Sequence, residues 1–114
     1  MSSVVEGPRG VVRNLVTGVS PFDEREAADR QWMLDWIQSG APLFRTEKPA
    51  NPPEHLAVYA ALVDEDSRSV MLVDHVKAKA WLMPGGHVDP NEDPRQTIVR
   101  ELDEELRIAP SFIR

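Results

Sequence analysis

The 114-residue chain contains no cysteine. That excludes disulfide scaffolds, thiolate metal sites and cysteine nucleophiles, and it fits a reducing compartment, with the cytoplasm as the expected location. No run approaches ~18 consecutive apolar residues and the N-terminus has no charged-then-apolar leader pattern, so neither a membrane span nor a signal peptide is expected. Positive charge is also short: 13 Lys and Arg against 19 Asp and Glu leave a net charge of -6. A field of that sign repels phosphate backbones and argues against a nucleic-acid grip, although small anions remain acceptable where a metal neutralises them.

What is present is a soluble, globular composition, 41% hydrophobic and 28% charged, with ten prolines that assign part of the chain to loops. Ser20-Pro21-Phe22-Asp23 offers a capping hydroxyl, a proline suited to a first helical position and a carboxylate three residues after the cap, and so predicts a helix start. An apolar stripe continues through Ala27, Ala28, Trp32, Met33, Trp36 and Ile37, and Gly40 and Pro42 supply the stop. The two tryptophans are expected to pack this helix rather than stack on a ligand. Pro42, Pro49, Pro52 and Pro53 then predict a linker over residues 42–54 that crosses the surface.

From His55 the pattern becomes that of strands. Leu56 to Val63 reads as a buried strand, Asp64 to Ser67 as a turn and Val70 to Val73 as the returning strand of a hairpin. A third short strand is expected at Ala80 to Met83, broken by Pro84-Gly85-Gly86, and a polar loop at 87–92. Asp93-Pro94 predicts the cap and first residue of a second helix over about 94–106.

The second helix carries the chemistry. At about 100° per residue, Ile98, Val99, Leu102 and Leu106 face a core, and Glu101 and Glu105 lie one turn apart on its border with Glu104 further round. Glu101, Asp103, Glu104 and Glu105 crowd the C-terminal half of the helix, where the macrodipole disfavours negative charge by about 0.3–1 kcal/mol each. Arg100 offsets only part of that charge; a hard divalent cation would offset the rest. Taken alone, such a run is usually a solvated face. The preceding Gly85-Gly86, which lets the backbone turn tightly and can bring a main-chain carbonyl to the same cation, favours a metal site.

Gly86, five residues, Glu92, seven residues and then Arg100-Glu101-Leu102-Asp103-Glu104-Glu105 resemble the Nudix box, G-x5-E-x7-R-E-U-x-E-E-x-G-U with U aliphatic. Where the pattern closes on glycine and an aliphatic residue the chain has Arg107 and Ile108, so the helix end is expected to be extended or reshaped. Asn91 stands where many members have glycine, and asparagine tolerates a left-handed backbone.

The resemblance implies hydrolysis of a diphosphate linkage in a nucleoside diphosphate joined to another group X, a small nucleotide-type substrate. It implies that Glu101, Glu104 and Glu105, with the Gly85 carbonyl, hold Mg²⁺ or Mn²⁺. By the same carry-over Arg100 orients a glutamate, Gly86 and Glu92 support the loop, and Glu101 or Glu104 is the general base unless, as in several relatives, the base is supplied elsewhere in the chain. The alternatives are a non-catalytic Nudix-like module that binds a nucleotide or a partner, and an inactive fragment.

The implied fold is α/β, a Nudix-like α/β/α sandwich with a mixed sheet, truncated after the Nudix helix, plus an N-terminal helix. Residues 1–54 would form a helical extension and linker, and 55–114 the N-terminal part of a Nudix domain with its box at 86–108. A missing C-terminal half, a swapped homodimer or the N-terminal helix would complete the core. Of the other candidates, His55 and His75 are expected to be strand-end polar residues; His87, in the loop next to Gly86, is expected to be a loop residue with phosphate contact as the alternative. Trp81 and Tyr59 are expected in packing. Lys77 and Lys79 suit a solvated turn and could draw in an anionic substrate.

Overall fold

The computed structural model describes residues 7–48 and 50–112, so Pro49 of the proline-rich segment lies outside the described residues. Two helices, α1 (Gly7–Thr17) and α2 (Glu24–Gln38), precede six short strands and a third helix. The strands are β1 (Ala57–Tyr59), β2 (Val63–Asp64), β3 (Ser69–Val70), β4 (Val73–His75), β5 (Ala80–Leu82) and β6 (Gly85–His87), followed by α3 (Pro94–Leu106). Helices thus combine with three two-stranded antiparallel sheets, β1–β6, β2–β3 and β4–β5. None of the helices among the described residues is long and apolar enough to cross a membrane.

The first two helices hold each other through their ends. Arg9 of α1 donates to the carbonyls of Ile37 and Ala41 at 2.5 and 2.6 Å, and Arg30 of α2 donates to Thr17 at 2.8 Å. Each helix therefore supplies a guanidinium to carbonyls at the other's C-terminal end, where backbone acceptors lack intrahelical partners and the dipole favours a cation. α1 lies outside the elements expected from the sequence, although its apolar residues Val12, Leu15 and Val16 recur at helical spacing. α2 begins three residues later than expected, because Asp23, not Ser20, takes the extended cap conformation and accepts from the Glu26 amide at 2.8 Å. Trp32 and Trp36 stack with ring centroids 6.0 Å apart, but only Trp36 reaches the core; Trp32 is 54% exposed.

The core joins Val12 of α1, Ile37 of α2, Leu43, Leu56 and Val88. Leu43 corrects the reading of 42–54 as a purely surface segment: its side chain is buried, and its carbonyl accepts from the Leu56 amide at 2.7 Å. The single strand expected over Leu56 to Val63 is divided, because its two ends take different partners. Residues 57–59 pair with 85–87, which makes Gly85-Gly86 part of a strand rather than a break, and Val63-Asp64 pairs with Ser69-Val70. The expected returning strand divides likewise, Val70 going to Val63 and Val73 to Leu82. The expected burial does not hold either, since Tyr59, Val63 and Val70 are more than half exposed on these two-stranded pairs. Left-handed residues Arg68 and Lys79 close the β2–β3 and β4–β5 hairpins.

α3 has the expected limits. Asp93 caps it by accepting from the Arg95 amide, and Pro94 opens it. Its C-terminus is neither extended nor reshaped: Arg107 itself adopts the left-handed conformation at φ 55°, donating to Asp103, and Ile108 reaches back to the Leu102 carbonyl. The buried face is displaced from the expected one. Thr97, Ile98 and Leu102 are buried, whereas Val99 is 44% exposed. At about 100° per residue the span from Thr97 to Leu102 covers about 140° and includes positions 101 and 105, while 99 falls about 60° beyond it.

Candidate functional site

Glu101 and Glu105 therefore point toward the sheet rather than along its border. With Gly85, Gly86, His87, Asp89, Tyr59, Val73, His75, Leu82 and Met83 they line a cleft of about 420 Å³, whose remaining wall is Arg45 and Lys48. Glycine is required at two of these positions for different reasons. A Cβ on Gly86 would meet the Glu101 carboxylate, with its oxygens at 2.5 and 2.7 Å. A Cβ on Gly85 would strike the Val58 carbonyl oxygen and crowd Tyr59, both fixed in the adjacent strand. Gly86 thus makes room for a carboxylate, and Gly85 for the chain itself.

Arg100 organises the acidic helix. Its Nε and Nη2 donate to the two oxygens of Glu92 at 3.0 and 2.9 Å, and Nη1 donates to Glu101 Oε1 at 3.0 Å. Asp89 and Glu104 stand further off, at 3.4 and 3.6 Å. Glu92 also accepts from the Thr97 hydroxyl at 2.7 Å and the Asp89 amide at 3.2 Å, which ties the 87–92 loop to the first turn of α3. Hydrogen bonds from Arg100 lead the causes that hold the Glu92 carboxyl down at about 2. Asn91 takes φ 67° in this loop, the left-handed conformation the sequence suggested it could bear.

Glu105 behaves in the opposite way. Burial of its carboxyl, a hydrogen bond to Glu101 and the Glu101 charge push it above the ordinary carboxylate range, against a smaller downward pull from His75. Two carboxyl groups brought together in this way repel each other when both are charged, and a cation would relieve that repulsion. Glu104 does not join them: it is 58% exposed on its side chain and turned toward Arg100. Among the described residues, no three His, Cys, Asp or Glu side chains are gathered as a metal site. The structure thus brings together Gly85, Gly86, Glu101 and Glu105 in the cleft, places Arg100 and Glu92 behind them, and leaves Glu104 outside.

This arrangement, a glycine strand facing two carboxylates with an Arg–Glu clamp behind, is carried by the residues that make up the family pattern. A sequence model of the NUDIX domain matches residues 53–114. The chain belongs to the Nudix family.

Two curated Nudix relatives are similar to it. Nucleoside diphosphate-linked moiety X motif 6 of Homo sapiens is 32% identical over 87 residues, 75% of this chain and 26% of that protein. The CTP pyrophosphohydrolase of Escherichia coli (strain K12) is 38% identical over 56 residues, 46% of this chain and 42% of that protein. The chain thus spans about a quarter of the length of the first and less than half of the second. No solved structure matches it.

Residues before the Nudix match also reach the site, and sequence reasoning missed them. Arg45 and Lys48 line the cleft although they sit in the proline-rich segment. His55 and His87 meet at 3.0 Å, with ring centroids 4.9 Å apart. Burial, then the Arg45 and His55 charges, hold His87 below the usual imidazole value, against an upward pull from Glu101. His75 ends β4 as expected, and Lys77 and Lys79 lie in the exposed turn after it. Trp81 is 66% exposed and Tyr59 59%, so neither is the packing residue the sequence suggested, although Tyr59 does border the cleft.

Proposed function

We propose that this Nudix chain takes part in metal-dependent hydrolysis of the diphosphate linkage of a nucleoside diphosphate-X substrate, with Mg²⁺ or Mn²⁺ as the cation. The observation that carries the reading is the Glu101–Glu105 pair facing Gly86 in an open cleft. The donors fit such an ion: carboxylate oxygens are hard ligands, and so would be the carbonyl of Gly85, which lines the same cleft. Mg²⁺ is ordinarily held by one or two carboxylates plus substrate phosphates rather than by an all-protein cage. A pair without a third acidic ligand is therefore sufficient.

Glu101 and Glu105 would hold the ion, with the Gly85 carbonyl assisting. When bound, the cation withdraws charge from the diphosphate and makes water more acidic. Arg100 fixes Glu101 through the bond to Oε1, so that this carboxylate, which lines the cleft, keeps one orientation. Glu101 lines the cleft and Glu104 does not, so we assign the proton-accepting role to Glu101 and leave Glu104 to balance the outer side of Arg100. Glu92 holds Arg100 and, through the Asp89 amide, the loop that follows Gly86.

The test is incubation of the chain with Mg²⁺ or Mn²⁺ and a panel of nucleoside triphosphates, ADP-ribose and dinucleoside polyphosphates. Product that disappears in Glu105→Gln supports hydrolysis. Binding of these nucleotides without any turnover overturns it and leaves a binding module.

A further inference from the structure

We infer that Arg45 and Lys48, which precede the Nudix match, form an anion-binding wall that receives the phosphate groups of the substrate opposite the Glu101–Glu105 pair. The inference rests on the diphosphate reading of the cleft and names the contacts that reading leaves unassigned.

Three observations carry it. Both side chains line the same cleft as Gly85, Gly86, Asp89, Glu101 and Glu105, so cationic and anionic groups share one cavity. Arg45 and Lys48 are the two permanent cations on the lining of that cleft, whose carboxylates, Asp89, Glu101 and Glu105, would repel a phosphate. The segment that bears them is also fastened in place. Thr46 and Glu47 both donate their amides to the Asn51 carbonyl, at 2.8 and 3.2 Å, and the Asn51 amide returns to Glu47 at 3.1 Å.

Beyond this small loop the chain is tied to the site on both sides. Leu43 is buried and bonded to Leu56, whose own carbonyl accepts from Val88 at 3.2 Å. His55 donates Nδ1–H to the Pro52 carbonyl at 2.7 Å, which leaves its Nε2 to meet His87 Nδ1 at 3.0 Å. His87 follows Gly86 directly, so this contact anchors the proline-rich segment to the strand that carries the glycines. Arg45 lines the cleft together with His87, the residue that follows Gly86 directly.

The chemistry on the two walls suits a diphosphate. A guanidinium presents two parallel N–H donors that match two oxygens of one phosphate, and an ammonium adds a compact charge that tolerates either phosphate. A ligand with a single anionic group could satisfy one wall only; two linked phosphates can engage the cationic wall while also reaching the carboxylate side through a cation.

The test uses the full chain and its Arg45→Gln/Lys48→Gln variant, with two readouts. The first is calorimetric titration with inorganic pyrophosphate in the presence of chelator, so that no divalent ion contributes. The wild type should bind, and the variant about tenfold more weakly, the loss expected for a charge-assisted hydrogen bond. The second is hydrolysis with Mg²⁺, where KM should rise about tenfold while kcat changes less than about threefold. Equal pyrophosphate affinity in the two proteins, or no binding by the wild type, overturns the inference.

If the wild type binds pyrophosphate through these residues but hydrolyses nothing, the anion wall stands and the enzymatic reading fails. If it hydrolyses its substrate with unchanged KM in the variant, the reverse holds. Lys48→Gln alone, at an exposed position, covers the case in which the double variant does not fold; an unchanged pyrophosphate affinity there overturns the assignment of Lys48.

Discussion

Arg100 grips Glu92 with two parallel hydrogen bonds, at 3.0 and 2.9 Å, and spends its remaining Nη1 on Glu101 at 3.0 Å. One guanidinium thereby connects the loop after Gly86 to the carboxylate that faces Gly86. A lysine can offer charge but not this fork. Arg100→Lys should lower stability by about 1–3 kcal/mol through loss of the paired, partly buried bonds. The same change should lower kcat more than it raises KM, because Glu101 loses its fixed orientation. Chemical denaturation and steady-state kinetics check the two effects.

Acid should reveal the same clamp. The Glu92 carboxyl is held near 2 in the folded chain against an ordinary 4.5. A group depressed in this way contributes fully above its unfolded value, and its contribution is lost as pH falls through the folded one, so the loss lies between about 4.5 and 2. Because the cluster is only partly buried, solvent screens it and the contribution is about 1–2 kcal/mol, less than the shift alone implies. Denaturant midpoints measured across this window should fall more steeply for the wild type than for Glu92→Gln. Parallel curves would contradict the assignment.

Much of this was legible in the sequence because it depends on local spacing. Asp93-Pro94 marks the start of α3, and the box spacing names the residues around Arg100. The hairpin after Val63 follows from its turn residues. What was not legible depends on partners distant in the chain. Leu56 to Val63 forms one apolar run, yet its ends pair with two different strands, which no periodicity reports. Gly85-Gly86 reads as a break because glycine has low strand preference; tight approach to Val58 and Glu101 makes glycine necessary there. Arg45 and Lys48 were hidden by prolines, whose signal identifies a loop and not where it lies.

The two glycines should separate fold from function. In Gly86→Ala the added methyl displaces the flexible end of Glu101, so the fold should persist while turnover falls by about a hundredfold, the loss typical of a misplaced catalytic group. In Gly85→Ala the methyl strikes backbone, and stability should drop by about 3 kcal/mol. Thermal melts alongside activity assays distinguish the two; equal destabilisation would show that Gly86 serves packing alone.

Arg107 offers a gain. A non-glycine residue at φ 55° bears the cost of a left-handed backbone, and glycine removes it. Arg107→Gly should raise stability by about 0.5–1 kcal/mol, offset in part by the greater entropy of glycine in the unfolded chain. Kinetic constants should not move, since Arg107 is outside the cleft. A lowered melting temperature would show that its side chain contributes more than its backbone costs.

In the proposed reaction Glu101 and Glu105 together take a divalent cation. Titration of the chain with Mn²⁺, followed by electron paramagnetic resonance of the free ion, tests it without reference to any substrate. Saturable binding is expected for the wild type and at least about tenfold weaker binding for Glu105→Gln, with the fold intact because that change removes a like-charge contact. Equal Mn²⁺ affinity in the two proteins, or none in the wild type, would contradict it.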